Sequence, residues 1–292
     1  CTNALKFCQK NIFDGVVAIG GGSAMDLAKV VMAHLCLKKT DIFELIEYKD
    51  KYSHTVPSIF LPTTHGTASE VTMWGTVWNM KEEKKYSISH PDLYPTVAIL
   101  DGNLTLSLPM GISITTTMDA LSHSFESIWN KKANDTSTDF AISAICSILK
   151  NSSALKERPA ELDIRNNLLR ASSVAGLAFS NTTTAAAHSM SYPLTIHYGI
   201  PHGIASSISL LPLLEINGKF IKEPIDRICN NLELTYNELK QAIKAIPQGV
   251  IPYTLDEWRI SKDDLPLLAA ESFTKGRMDN NIVDLSTDDV LD

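Results

Sequence analysis

From Ala171 to Leu214 the chain carries no Asp, Glu, Lys or Arg. Its side chains there are small, hydroxylated or apolar, and such a run sits largely inside a fold. It is too rich in Ser, Thr, Asn, His and Pro to be a membrane span. The near-neutral titratable groups within it are His188, His197 and His202. A buried imidazole needs a partner, and three in one uncharged stretch require a shared reason.

A partner is found in "TTTMDALSHSFESIW", Thr115 to Trp129. At helical spacing Met118, Leu121, Phe125 and Ile128 form an apolar stripe, with Asp119 and His123 together on the opposite side and Glu126 near them. Alone, that pair reads as a solvated helix face. Beside the uncharged stretch it reads as half of a metal site. "AAAHSMSYPLTIHYGIPHGIA" puts His188 at a helix end and His202 at the start of the next helix, with a loop through Pro193 and Gly199 turning the chain back. One carboxylate and three neutral imidazoles suit Fe(II) or Zn(II), with a position left for a substrate oxygen.

The earlier part of the chain has a different pattern. "GVVAIG", "VPSIFLPTT" and "TVAILD" are apolar runs bounded by turn residues, which predict buried strands. "MWGTVWNMKEEKKYSIS" predicts a hairpin. After the first strand, "GGSAMDLAK" turns on glycines into a helix. Glycines let backbone N–H groups approach a phosphate, the helix N-terminus favours the anion, and Ser23 can cap the helix or donate to a phosphate oxygen. The competing reading is a tight strand-to-helix turn with a serine cap. A second turn, "PTTHGTASE", offers Thr63, Thr64, Thr67 and Ser69, which can bond a diphosphate or their own backbone. Two such turns after two strands favour a dinucleotide.

Beyond Leu104–Pro109 the patterns are helical, over 116–130, 136–149, 165–187 and 203–216. The chain of 292 residues is therefore expected to hold an N-terminal α/β dinucleotide-binding domain over 1–108 and an all-α, metal-binding C-terminal domain over 109–292. It runs almost at once into the glycine turn, so the α/β domain is expected to be incomplete at its start. A net charge of −7 argues against nucleic acid or an anionic membrane held by bulk electrostatics. Five scattered cysteines without CxxC suit a reducing cytoplasm, and no signal-peptide pattern opens the chain.

"GGGSAMDLAK", "PTTHGTASEVT", "LYPTVAILDGNLTLSLP", "MDALSHSFES", "HSMSYPLTIHYGIPHG" and "GRMDNNIVDLSTDDV" occur in this order along the whole chain. Together they resemble the iron-containing (group III) alcohol dehydrogenase family. The resemblance implies a dehydroquinate synthase-like architecture with the site in a cleft between two parts. It implies Asp119, His123, His188 and His202 as ligands of Fe(2+) or Zn(2+). It implies NAD or NADP diphosphate contacts at Gly21, Gly22 and Ser23, and further cofactor contacts at Thr63, Thr64, Thr72 and Lys85. The implied reaction is reversible hydride transfer between nicotinamide and a small aldehyde or primary alcohol, in a homodimer with neither nucleic-acid nor membrane partner. "TVWNMKEEKKYSISHPDLYP" and "SYPLTIHYGIPHG" are most similar to members that reduce phosphonoacetaldehyde.

The departures matter too. The family's opening βαβ unit, with an acidic residue near the adenosine ribose, is not in this sequence, which leaves NAD against NADP open. Tyr192 stands where many relatives carry a second histidine, and the Tyr192–His197 region is expected to pass a proton to the alkoxide. His65 and Ala68 replace smaller residues or glycine in the threonine turn. Asp26 and Lys29 are read as first-turn helix charges, with the family motif placing Asp26 near the cleft. His34, His54, His65 and His90 are read as structural or surface residues. Two rival readings stand: a cyclase or lyase of the dehydroquinate synthase type, whose first ligand is usually a glutamate, and a non-catalytic remnant.

Overall fold

The computed structural model describes residues 1–79 and 84–291, without the side chains of residues 78, 79, 84 and 85. Helix α1 (Thr2–Cys8) precedes β1 (Val16–Gly20), α2 (Gly22–Leu37) and α3 (Ile42–Glu47). Then come β2 (Ser58–Pro62), the hairpin strands β3 (Trp74–Asn79) and β4 (Lys84–Ser89), and the short β5 (Val97–Ala98). Strands β1, β2 and β5 form a parallel sheet in that order, while β3 and β4 pair antiparallel, Trp74 opposite Ser89.

The apolar runs predicted strands buried on both faces, and the sheet departs from that. Ala18 and Phe60 point into a core with Met25, Val30 and Ala33 of α2. Val17 and Ile19 on the opposite face remain about 60% exposed (63% and 60%). The side chains of a strand alternate between faces, and α2 packs on one of them.

From Met110 onward the fold is helical: α4 (Met110–Ile128), α5 (Asp135–Glu157), α6 (Leu162–Thr182), α7 (Ala186–Tyr198), α8 (His202–Ala205), α9 (Leu210–Asn217), α10 (Lys222–Leu232), α11 (Tyr236–Ala245) and α12 (Leu265–Glu271). Helices α4, α5 and α6 share one core built around Ile114, Phe125, Trp129, Ile145 and Leu168. Among the described residues no single helix is long and apolar enough to cross a membrane.

Three local expectations are corrected. The predicted helix 165–187 stops at Thr182, because Thr183 takes φ 66° and ψ 178°, a conformation a β-branched residue rarely adopts. The predicted helix 203–216 is two helices, α8 and α9, parted by 206–209. Pro193 lies inside α7 rather than in a loop. Its ring costs one helical hydrogen bond, but it is buried where α7 packs against α4, α8 and α12, and tertiary packing overrides local preference. Gly199, at φ 65°, makes the turn to α8 alone.

Candidate functional site

Helix α4 is buried on both sides. Its apolar stripe packs inward, and Asp119, His123 and Glu126 opposite are 3%, 6% and 0% exposed, so the solvated-face reading does not hold. Gly203 is what lets α8 close on this side. A Cβ there would stand 2.0 Å from the Thr115 carbonyl oxygen and 2.9 Å from Asp119 Cβ. That contact carries His202, the first residue of α8, over Asp119. Helix α7 brings in His188 from its own first turn.

The Asp119 Oδ1 atom is 3.5 Å from His188 Nε2, 3.9 Å from His202 Nε2 and 4.0 Å from His123 Nε2. Donor atoms of Asp119, His188 and His202 all lie within 4.8 Å of one another. His123 reaches Asp119 but falls outside that tightest group. Its ring stacks on His188 at 4.5 Å between centroids and on Phe179 at 4.1 Å.

Glu126 supplies what the ligand pattern alone leaves out. Its Oε1 accepts the His188 backbone N–H at 3.0 Å, and its Oε2 lies 2.6 Å from His188 Nδ1. The carboxylate thereby fixes the Nδ1–H tautomer and turns the Nε2 lone pair toward Asp119. His188 Nε2 is buried with no hydrogen-bond partner. Burial works to raise the Asp119 carboxyl, but the imidazoles of His123, His202 and His188 prevail and hold it well below the usual carboxylate range. Burial pushes His123 down to about 4 despite Asp119. Burial would lower His188 too, yet Glu126 and Asp119 raise it. A neutral His123 and an ionised Asp119 around an unsatisfied nitrogen form a nest that a divalent cation fits.

The other wall comes from the α/β part. Gly22 and Ser23 at the start of α2, with Asp26, Thr67, Ser69, Thr72, Thr76, Ser87 and Ser89, line the same cavity of about 430 Å³ as Asp119, His123, His188, Tyr192 and His202. Gly21, Thr63 and Thr64 are half-buried and do not line that cavity. A Cβ on Gly21 would be tight, 3.2 Å from Thr64 Cγ2, and one on Gly22 would meet Thr67 Cγ2 at 2.7 Å and force it to move. The glycine turn is therefore pressed against the threonine turn. The Lys85 side chain lies outside the described residues.

Lys29 is not a solvated helix charge. It is 0% exposed and donates to Ser69 Oγ, Thr72 Oγ1 and the Trp74 carbonyl at 2.8, 3.1 and 2.7 Å. Burial brings its pKa down to about 7 against the opposing pull of Asp26 and Glu70. Asp26 accepts from Ser69 Oγ at 2.8 Å and from the Thr76 N–H at 2.9 Å. His65 is a core residue beside Thr117, 3.2 Å away.

The structure separates the two residues expected to relay a proton. Tyr192 lines the cleft, whereas His197 faces outward and pairs its Nε2 with Glu271 at 2.6 Å. The spacing 188, 192, 197 explains it: 188 and 192 are one turn apart on α7, and 197 falls on another face. Arg277, Phe179, Thr183 and Thr184 also line the cavity. Phe179, Thr183 and Thr184 come from a helix end that nothing local in the sequence marks, and Arg277 lies in the C-terminal motif "GRMDNNIVDLSTDDV" without a role assigned to it from the sequence.

A parallel α/β part facing an all-helical part across a polar cleft defines the dehydroquinate synthase-like class of folds. Within it, the chain belongs to the iron-containing alcohol dehydrogenase family: residues 1–102 match the model described as iron-containing alcohol dehydrogenase, and 113–292 match the Fe-containing alcohol dehydrogenase family, C-terminal. It is 32% identical over 235 residues to a probable alcohol dehydrogenase, EutG, of Escherichia coli strain K12, covering 80% of this chain and 59% of that one. It is 30% identical over 288 residues to long-chain-alcohol dehydrogenase 1 of Geobacillus thermodenitrificans strain NG80-2, covering 94% and 72%. Thus the chain spans 59% of the length of the EutG relative. Among solved structures it is similar to a 1,3-propanediol oxidoreductase (TM-score 0.88, 27% identity, 99% of this chain and 79% of that one). It is also similar to the sulfoacetaldehyde reductase of Bifidobacterium kashiwanohense in complex with NAD+ (TM-score 0.85, 30% identity, 99% and 78%).

Proposed function

We propose that this protein is a metal-dependent, NAD(P)-linked alcohol dehydrogenase that interconverts a small aldehyde and its primary alcohol. The observation that carries this reading is the convergence of Asp119, His188 and His202 in one cleft with the helix start at Gly22–Ser23. In this reading residues 1–108 form the nucleotide lobe and 109–292 the metal lobe.

Asp119, His123, His188 and His202 would hold Fe(II) or Zn(II), and Glu126 orients His188. Gly22, Ser23 and Thr72 line the side on which NAD or NADP would lie. When bound, the metal supplies Lewis-acid polarisation of a carbonyl oxygen and the nicotinamide supplies hydride. Phe179, stacked on His123, keeps water from that flank. Burial raises the Tyr192 phenol above its ordinary value despite Arg277, so Tyr192 is protonated at neutral pH and, from its position in the cleft lining, would donate its proton to the product oxygen. The His197 imidazole has no part in that transfer. Phosphonoacetaldehyde is the specific substrate to which the sequence likeness points.

The test is metal analysis and reduced-nicotinamide oxidation on the intact protein, supplied with Fe(II) or Zn(II), over a panel of aldehydes. Asp119→Ala is expected to lose bound metal and to lower turnover by about 10³-fold or more, because it removes the anionic ligand from the Lewis-acid site. Absence of stoichiometric metal in the unsubstituted protein, or no aldehyde-dependent oxidation of NADH or NADPH, would end the proposal.

A further inference from the structure

Arg277 is the single Lys or Arg side chain among the described residues that line the cleft. Its guanidinium carbon sits 5.8 Å from the centroid of the Tyr192 ring, and its Nη1 donates to Thr184 Oγ1 at 2.8 Å. Thr184 lies four residues before His188, just ahead of α7, and Tyr192 follows His188 by one helical turn. Arg277 therefore bridges the two residues that flank His188.

The arginine is held in place by its surroundings. Asn280 Nδ2, buried, donates to Thr183 Oγ1, the Thr184 carbonyl and the Gly276 carbonyl at 3.0, 2.9 and 2.7 Å. Asn130 Nδ2 donates to the Thr183 carbonyl at 3.2 Å. These bonds tie the turn carrying Arg277 to the 183–184 turn, where Thr183 is kept at positive φ.

A guanidinium has five N–H donors. Thr184 takes one and the Tyr192 hydroxyl engages the same side chain, and among the described residues no carboxylate lies within 4.0 Å of Arg277. An arginine inside a polar cleft without a counter-ion is arranged to receive an anion, and its planar fork matches the oxygens of a carboxylate, sulfonate or phosphonate. The net charge of −7 gives no long-range attraction for an anion, so recognition has to be local.

We infer that Arg277, oriented by Thr184, determines specificity for aldehydes carrying an anionic group one or two carbons from the carbonyl. The inference rests on the aldehyde-reducing function proposed above and adds the substrate class and the residue that reads it. With the carbonyl oxygen at the Asp119–His188–His202 cluster, a short spacer would direct the anion toward the guanidinium, which sits beside Tyr192, itself one helical turn (about 6 Å of rise) along α7 from His188. A neutral aldehyde fills the first position and leaves Arg277 without an anionic partner.

The experiment compares kcat/KM for phosphonoacetaldehyde, sulfoacetaldehyde, 3-oxopropanoate and propanal on the metal-supplied intact protein, then on Arg277→Ala, Arg277→Lys and Thr184→Val. At least one anionic aldehyde should exceed propanal by about 100-fold, the scale of a charge-assisted hydrogen-bond pair, and the three anions reveal which headgroup is preferred. Arg277→Ala should cut the anionic-to-propanal ratio by about 30-fold or more, chiefly through KM, with Arg277→Lys retaining part of it because the charge remains without the fork. Thr184→Val, which keeps the arginine, should reduce the ratio several-fold. Calorimetric titration with 2-hydroxyethylphosphonate, without nicotinamide, should show binding that weakens in Arg277→Ala and in high salt. Equal or better use of propanal by the unsubstituted protein overturns the inference while leaving the aldehyde-reducing function standing. So does a ratio that survives in all three variants, or a uniform loss on all four aldehydes. If no aldehyde at all is reduced, the proposed function fails and this inference with it.

Discussion

The two walls of the cleft solve the same packing problem with opposite chemistry. The helical wall buries formal charge and imidazole: Asp119, His123, Glu126 and His188 are all 6% exposed or less. The α/β wall offers hydroxyls and a glycine turn, and buries the cation Lys29 behind Ser69 and Thr72. Buried charge costs free energy unless it is compensated. The helical wall is therefore precise and brittle, built around whatever satisfies His188 Nε2. Hydroxyls are cheaply satisfied and tolerate rearrangement, which suits a surface that meets a large flexible ligand.

The largest expected difference between the walls comes from a glycine on each. A Cβ on Gly203 would meet the Thr115 carbonyl at 2.0 Å, and backbone cannot swing away. A Cβ on Gly22 would meet a methyl of Thr67 at 2.7 Å, and that side chain can rotate. Gly203→Ala should cost about 3 kcal/mol of stability by overpacking and shift His202 off Asp119, with metal binding lost. Gly22→Ala should cost about 1 kcal/mol and spare metal binding, because a rotamer change relieves it. Thermal unfolding alongside metal titration checks both. Similar losses in the two variants would erase the contrast.

Glu126 sharpens the comparison from within the helical wall. Glu126→Gln keeps the shape and one acceptor but removes the charge facing His188 Nδ1. Metal affinity should fall about 10- to 100-fold, as it does when an outer carboxylate behind a metal-bound histidine is lost. Competition with a chelator measures it. Unchanged affinity would mean that the carboxylate serves packing alone.

This contrast also explains how much was legible in the sequence. The helical wall announced itself because histidines inside a tract free of Asp, Glu, Lys and Arg are unusual, and Asp119 with His123 at i, i+4 completes them. Glu126 was visible beside that pair, but its partner, the far nitrogen of His188, is a geometric fact. The strands and the hairpin followed from apolar runs and a charged turn. The α/β wall was legible only in outline: threonines and serines are common loop residues, so which of them line the cleft, as Thr72 does, and which do not, as Thr63 and Thr64, could not be read. Pro193 inside α7 and the helix stop at Thr183 are tertiary overrides of local preference. His197 was misplaced because Pro193 and Gly199 suggested a loop, whereas α7 continues to Tyr198 and carries 197 to a different face from 188 and 192. Arg277 sits in a C-terminal motif of the family, but it reaches the site from a turn far along the chain, so its role there could not be read.

The smallest predicted effect isolates the hidden cation of the α/β wall. Burial lowers Lys29 to about 7, against 10.5 for the free side chain. Below the folded value both states hold the proton, and the full desolvation penalty bears on the folded one. As pH rises above about 7 the folded protein releases that proton while the unfolded chain keeps it, so stability increases, by at most ~1.4 kcal/mol per pH unit. The gain is complete only near the unfolded value, but the useful window is about pH 7 to 8.5, before cysteine and tyrosine titrations of opposite sign intrude. Lys29→Met should be less stable throughout, since Ser69, Thr72 and the Trp74 carbonyl lose a shared donor. The diagnostic is the slope rather than the offset: stability of the original protein minus that of Lys29→Met, from urea unfolding, should climb across the window. A flat difference would mean that Lys29 stays charged beside Asp26 and Glu70, and that the α/β wall, like the helical one, is organised around buried charge.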